Sequence, residues 1–178
     1  MALIFGMGIT NLSLAQSQHG VVTPVKVGSV VLNLGAGAGA GYRDDYNDAA
    51  FGTKIAAEWG LWKAGPGVIT LGAEAGGSFS NGYYNSDYRA RTIIIAGRSA
   101  WHYGWKVRGL DTYGGLSAGL GFHHYDYRNN MHDDRSEVIP VAGIFVGASY
   151  FITPVFGFNA EAGYDITNLQ IGVVFKLK

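Results

Sequence analysis

The chain has 178 residues, 48% hydrophobic but only 15% charged, with 28 glycines and no cysteine, against about 25% charged residues in ordinary globular domains. Thirteen basic residues balance thirteen acidic ones, which argues against the basic footprint of a nucleic-acid binder, and the missing cysteine excludes disulfides and thiolate metal sites. No apolar run reaches the roughly 18 residues of a spanning helix, so if the chain crosses a membrane it must do so as a closed barrel.

Residues 1–16 stand apart. The apolar run 3–14 (LIFGMGITNLSL) ends in Ser13-Leu14-Ala15 ahead of Gln16, a small-x-small pattern. This reads as a secretory signal peptide or its remnant, although the first basic residue is Lys26. Residues 17–178 form one domain.

Eight strands are predicted after it. The first covers residues 26–42, with Val30, Leu32, Leu34, Ala36, Ala38 and Ala40 on one face. The second covers 52–62 (Ile55, Ala57, Trp59, Leu61 outward) and the third 68–80 (Ile69, Leu71, Ala73, Ala75, Phe79). The fourth covers 91–105 (Ile93, Ile95, Trp101, Tyr103) and the fifth 110–125 (Leu116, Ala118, Leu120, Phe122). The sixth covers 137–151, with Ala142, Ile144, Val146, Ala148 and Tyr150 outward. The closing stretch, 156–178, holds two more. Phe156, Phe158, Ala160 and Ala162 alternate with Gly157, Asn159, Glu161 and Gly163, and Leu169, Ile171, Val173, Phe175 and Leu177 alternate with small or polar residues. Period-two alternation marks strands with one apolar face. With charge on the opposite face, the economical solution is a barrel with lipid outside and polar groups inside.

Connection lengths support this. Segments 43–51, 81–90 and 126–136 are long and polar, whereas 63–67, 106–109 and 152–155 are short. Only the last connection, 165–167, departs from the alternation. Long loops at one end and tight turns at the other characterise outer-membrane barrels. An even strand count places both termini at the short-turn, periplasmic end. Trp59, Trp62, Trp101 and Trp105 fall near that end; Tyr42, Tyr46, Tyr83, Tyr84, Tyr88, Tyr125, Tyr127 and Tyr164 fall near the other, as aromatic girdles would.

The inward phase carries Lys54, Glu58, Thr70, Glu74, Arg98, His102, Asp111, Asn159, Glu161, Gln170 and Lys176. Unpaired charges in a water-poor interior are costly, so these residues should pair. Arg98 is the natural hub, because a guanidinium can fork onto two carboxylates; Glu58, Glu74 and Glu161 are its candidate partners, with His102 beside them. The preferred reading is a structural salt-bridge plug, since eight strands leave an interior that side chains largely fill; a gated pore competes with it. Inward glycines at 35, 37, 39, 115, 119, 121, 143 and 147 fit a tightly curved wall, or leave room for a few waters or a small ligand.

The segments VLNLGAGAG (31–39), TIIIAGRSAWHY (92–103), LDTYGGLSAGLGF (110–122), VGASYFITPVFGFNAEAGYDI (146–166) and LQIGVVFKLK (169–178) resemble the small eight-stranded outer-membrane barrels, the porin-like outer-membrane β-barrel domains. The resemblance covers most of residues 26–178. It implies an all-β, antiparallel, up-and-down transmembrane barrel in a Gram-negative outer membrane. One departure is the ending Lys176-Leu177-Lys178 after Phe175, where such barrels usually end on an aromatic.

Other chemistry is thinly marked. His123, His124, Asp126, His132, Asp133 and Asp134 could suggest a surface metal site, but no ligand spacing supports one, and a solvated loop is preferred. Asp44, Asp45, Asn47 and Asp48 lack the glycine and distal glutamate of a calcium loop. Lipid-modifying barrels need a serine and a histidine together near a lipid-facing rim; Ser99 and His102 point to opposite faces, and Ser117 and His123 share a face about 20 Å apart by strand rise. A soluble lipocalin-like carrier would invert the polarity of the two faces. The expectation is a non-enzymatic outer-membrane barrel without cofactor or metal. Its expected role is structural, loop-presenting or accessory, and its expected partners are the bilayer, lipopolysaccharide and a larger outer-membrane complex. A small-solute channel is the alternative, ahead of a lipid-modifying enzyme.

Overall fold

The computed structural model describes residues 24–39, 51–81, 88–127 and 135–178. Eight antiparallel strands in chain order close into one barrel: β1 (Val30–Ala38), β2 (Phe51–Ala64), β3 (Gly67–Asn81), β4 (Tyr88–Gly104), β5 (Leu110–Tyr127), β6 (Arg135–Phe151), β7 (Phe156–Tyr164) and β8 (Leu169–Lys176). Each strand pairs with its sequence neighbours, and β8 returns to β1 through registers such as Leu34↔Val173 and Ala36↔Ile171.

The wall is polar inside and apolar outside. From Phe51 to Gly60, β2 alternates exposed and buried at every step. Leu116 is 62% exposed and Ile171 71%, whereas Arg98 and His102 are each 1% exposed. This is the architecture of a membrane-spanning barrel, the inverse of a lipocalin. A bulge between Gly60 and Trp62 shifts the register of β2 against β3. Residues three apart on a regular strand face opposite sides; the extra residue lets Trp59 and Trp62 both face outward. Trp101 and Trp105 join them at the short-turn end, donating through Nε1 to Ala64 O (3.0 Å) and Thr112 Oγ1 (2.9 Å).

Several strands differ from the sequence expectation. The first begins at Val30 rather than residue 26: Gly28 takes φ 86° and Ser29 N donates to Lys26 O (2.9 Å), so residues 26–29 form a turn. Gly39 is no inward wall position, because β1 ends at Ala38 and Gly39 turns away with φ 86°. β4 starts at Tyr88 instead of 91, and Trp105 lies past its end. At β5 the turn needs Gly109, where φ is 86° and a Cβ would come within 2.4 Å of Phe151 O. The signal-peptide expectation, the tyrosines at 42, 46, 83 and 84, the calcium-like run and His132, Asp133 and Asp134 lie outside the described residues.

β2 to β6 run 14 to 18 residues, more than the roughly 9–11 that cross a bilayer, whereas β1, β7 and β8 have nine, nine and eight. The tall strands therefore reach past the ends of β1, β7 and β8 at the long-loop end. β6 pairs with β7 only from Ile144 onward, so Pro140 sits on a stretch of β6 with a single β-neighbour, where its missing N–H is tolerated.

Candidate functional site: the filled lumen

The inward side chains stack in three tiers. At the short-turn mouth, residues 24–29 fold across the opening. Val25 is fully buried among Val31, Phe151 and Val174, and Lys176 Nζ donates to Pro24 O (3.1 Å). At the opposite mouth, Ile166 is fully buried among Ile94, Ala96 and Val141. The connection 165–168, odd in the sequence for its brevity, tucks into the lumen.

Between these apolar caps lies an ionic cluster. Arg98 of β4 pairs through Nε with Glu58 of β2 (2.9 Å), through Nη1 with Glu74 of β3 (2.9 Å) and through Nη2 with Glu161 of β7 (3.1 Å). Its guanidinium carbon lies 3.9 Å from the ring centroid of Phe145 on β6. Lys54 forms a second centre, touching Glu161, Asp165 (2.6 Å) and Glu74 (3.6 Å). His102 places Nδ1 2.7 Å from Asp111 and Nε2 3.4 Å from Glu58. An imidazole flanked by a carboxylate at each nitrogen can donate to both only as the imidazolium. Thr70 donates to Glu58, and Tyr113, stacked on His102, donates to Glu161 Oε2 (3.1 Å).

All five residues singled out from the sequence, Glu58, Glu74, Arg98, His102 and Glu161, meet in this one cluster, each at most 4% exposed. Sequence reasoning missed Tyr113, Phe145 and Asp165. The aromatics share the inward phase with glycines: a Cβ on Gly147 would lie 2.4 Å from the Tyr113 ring, and one on Gly115 2.6 Å from the Phe145 ring. At these two positions the glycine space is occupied by the rings; at Gly35 it is taken by Gln170 and at Gly121 by Val141. Opposing glycine with a large inward aromatic across the register is the signal that could have found them. Asp165 reads as a loop residue, and only the inward tuck reveals its role.

The serine–histidine pairs weighed from the sequence do not form. Ser99 donates to Thr70 O (2.7 Å), Ser117 to Asp165 (3.2 Å), and His123 meets Thr92 (2.7 Å). A different pair does: His124 Nδ1 lies 3.0 Å from Ser136 Oγ, exposed on the outer face, cross-strand between β5 and β6. Among the described residues no group of three or more histidines and carboxylates is arranged to hold a metal ion.

No protein-family model and no curated protein sequence matches the chain. Solved structures do. Neisserial surface protein A aligns over 84% of this chain and 97% of its own at 16% identity, with a TM-score of 0.58. The N-terminal β-barrel domain of Pseudomonas aeruginosa OprF aligns over 85% and 98% at 16% identity, TM-score 0.47. Ail, the attachment invasion locus protein of Yersinia pestis, aligns over 83% and 93% at 15% identity, TM-score 0.41, in a complex with the heparin analogue sucrose octasulfate. With Neisserial surface protein A as the measure, the chain has the fold of the small eight-stranded outer-membrane β-barrels.

Proposed function

We propose that the protein is an integral outer-membrane barrel with a non-conducting lumen and a structural role. It anchors in the envelope with termini periplasmic, presents its long loops outside, contacts bilayer lipid and lipopolysaccharide, and serves beside a larger outer-membrane assembly. The observation that carries this reading is the filled lumen: an ionic cluster held by Arg98 and Lys54, capped by Val25 on one side and Ile166 on the other. Two apolar caps around paired charges support a lumen closed to ions. The test is a planar-bilayer recording of the refolded protein, checked for a heat-dependent gel shift. Silence at concentrations where a porin conducts is expected; stepwise conductance would favour the small-solute channel instead. A native pull-down from envelope membranes tests the accessory role.

A lipid-acyl hydrolase is the second reading, supported by the exposed His124–Ser136 pair, since an imidazole within hydrogen-bond reach of a hydroxyl can act as its general base. Hydrolysis of a chromogenic acyl ester by the refolded protein, read as release of its chromophoric alcohol and lost in Ser136→Ala, would support it; equal rates for the two proteins would remove it.

A further inference from the structure

The outer wall carries a feature that the lumen does not explain. Between β1 and β4 a shallow, open groove of about 530 Å³ lies on the apolar face. Thr53 and Ala75 are its small open residues, lined about by Leu34, Ile55, Phe79 and Ile93; Gly77, also in the lining, is buried, the Phe79 ring lying 3.7 Å from where its Cβ would be. The registers explain the shape: Thr53 pairs with Gly77 and Ile55 with Ala75, so small residues adjoin in a wall otherwise made of large ones. At the long-loop end of the groove, Arg91 is paired with Phe79 across β3 and β4, exposed, its guanidinium 5.7 Å from the Phe79 ring centroid. Beside Arg91 the register continues to His124 and Ser136. An apolar trench that ends in a cation resting on an aromatic ring has two chemical demands: a hydrocarbon chain below and an anionic oxygen group above.

We infer that this groove is a docking site for a phosphate-bearing membrane lipid, its acyl chain along Thr53 and Ala75 and its phosphate on Arg91. The inference rests on the membrane-barrel reading above. Arg91 stands where the apolar belt gives way to the polar rim, the depth at which lipid phosphates lie. A guanidinium forks onto phosphate oxygens, and its seat on Phe79 restricts its rotamers before the lipid arrives. The small-residue floor lets the chain approach the backbone, so the bound lipid exceeds ordinary annular lipid in contact.

The test is native mass spectrometry of the refolded protein in a non-ionic detergent, with dimyristoyl phosphatidylglycerol as probe and dimyristoylglycerol as its phosphate-free counterpart. One retained phosphatidylglycerol per barrel is expected. Ala75→Leu, which fills the trench, should abolish the adduct, while Ala118→Leu on the outer face of β5 leaves it unchanged. Arg91→Gln should lower retention of the phospholipid about fivefold without changing retention of the diacylglycerol. Equal retention by Ala75→Leu and Ala118→Leu, or a phospholipid signal indifferent to Arg91, would mean annular lipid only and overturn the site. A heat-dependent gel shift on the same samples tests the barrel reading separately: its absence would sink that reading, whereas its presence without a specific adduct sinks only this one.

Discussion

Asp165 Oδ2 lies 2.6 Å from Lys54 Nζ, deep in the lumen, although 165 follows the last residue of β7 at the barrel rim. The contact ties the one short connection of the long-loop end to the wall of β2. Its companions have the same effect: Asp165 accepts from Ser117 (3.2 Å), Ile166 is buried, and Thr167 donates to Gln170 (3.2 Å). The β7–β8 connection is short because it serves as an internal cap.

That cap should be separable from the barrel. Lys54 keeps Glu161 and Glu74 when Asp165 is removed, so Asp165→Asn should cost less than breaking an isolated buried pair. A Lys54→Met, Asp165→Asn double-mutant cycle is expected to show coupling of about 0.5–3 kcal/mol, read from urea unfolding in lipid vesicles. Ile166→Ala should add about 2–5 kcal/mol of destabilisation and raise hydrogen exchange at 165–168. Unchanged exchange there would show that the cap is not held by these contacts.

Arg98 carries a larger share. It faces three carboxylates and a ring, all at most 4% exposed. Arg98→Met leaves those carboxylates with one fewer cation, and removing one partner of a buried pair costs about 3–5 kcal/mol. Arg98→Lys keeps the charge but loses the fork, and should fall between wild type and Arg98→Met in the same unfolding series. A Met variant as stable as the Lys variant would mean that packing on Phe145, rather than ion pairing, sets the contribution of this position.

What is legible in the sequence follows from what period two encodes. Alternation writes the outer face of each strand, so Ile93, Leu116 and Ile171 can be placed on the lipid side from spacing alone, and Arg98 with Glu58, Glu74 and Glu161 follow as the charges of the opposite phase. The residues that escape carry no such mark. Tyr113 and Phe145 are apolar or amphipathic, and in a chain whose exterior is aromatic they read as wall. Asp165 and Ile166 depend on a loop turning inward, and the His124–Ser136 pair depends on the β5–β6 register; both are relationships between distant positions that local periodicity does not specify. The early start predicted for β1 fails for a local reason, the positive φ of Gly28.

The glycine opposite Tyr113 offers a packing test. Gly147→Ala would bring a Cβ within 2.4 Å of the ring, and overpacking of this kind costs about 1–3 kcal/mol. Tyr113→Leu alone loses the hydrogen bond to Glu161 and the stack on His102. Combined, the two changes should cost less than their sum, because the leucine vacates the volume that the new methyl needs. Strict additivity in urea unfolding would show that the wall shifts to accommodate the methyl without reference to Tyr113.

The outer face separates a membrane barrel from a soluble one. Leu116 is 62% exposed on the apolar belt. In water, an exposed leucine exchanged for arginine changes stability by about 0.5 kcal/mol or less. On the lipid face near the bilayer midplane, the same exchange costs about 2–4 kcal/mol. Leu116→Arg refolded into phospholipid vesicles should therefore lose stability on the larger scale, whereas Lys106→Ala, in the exposed β4–β5 turn, should stay within the smaller one. The contrast tests the polarity of the wall directly: equal, small effects at both positions would place the belt in water and remove the premise on which the filled lumen is read as a membrane protein's interior.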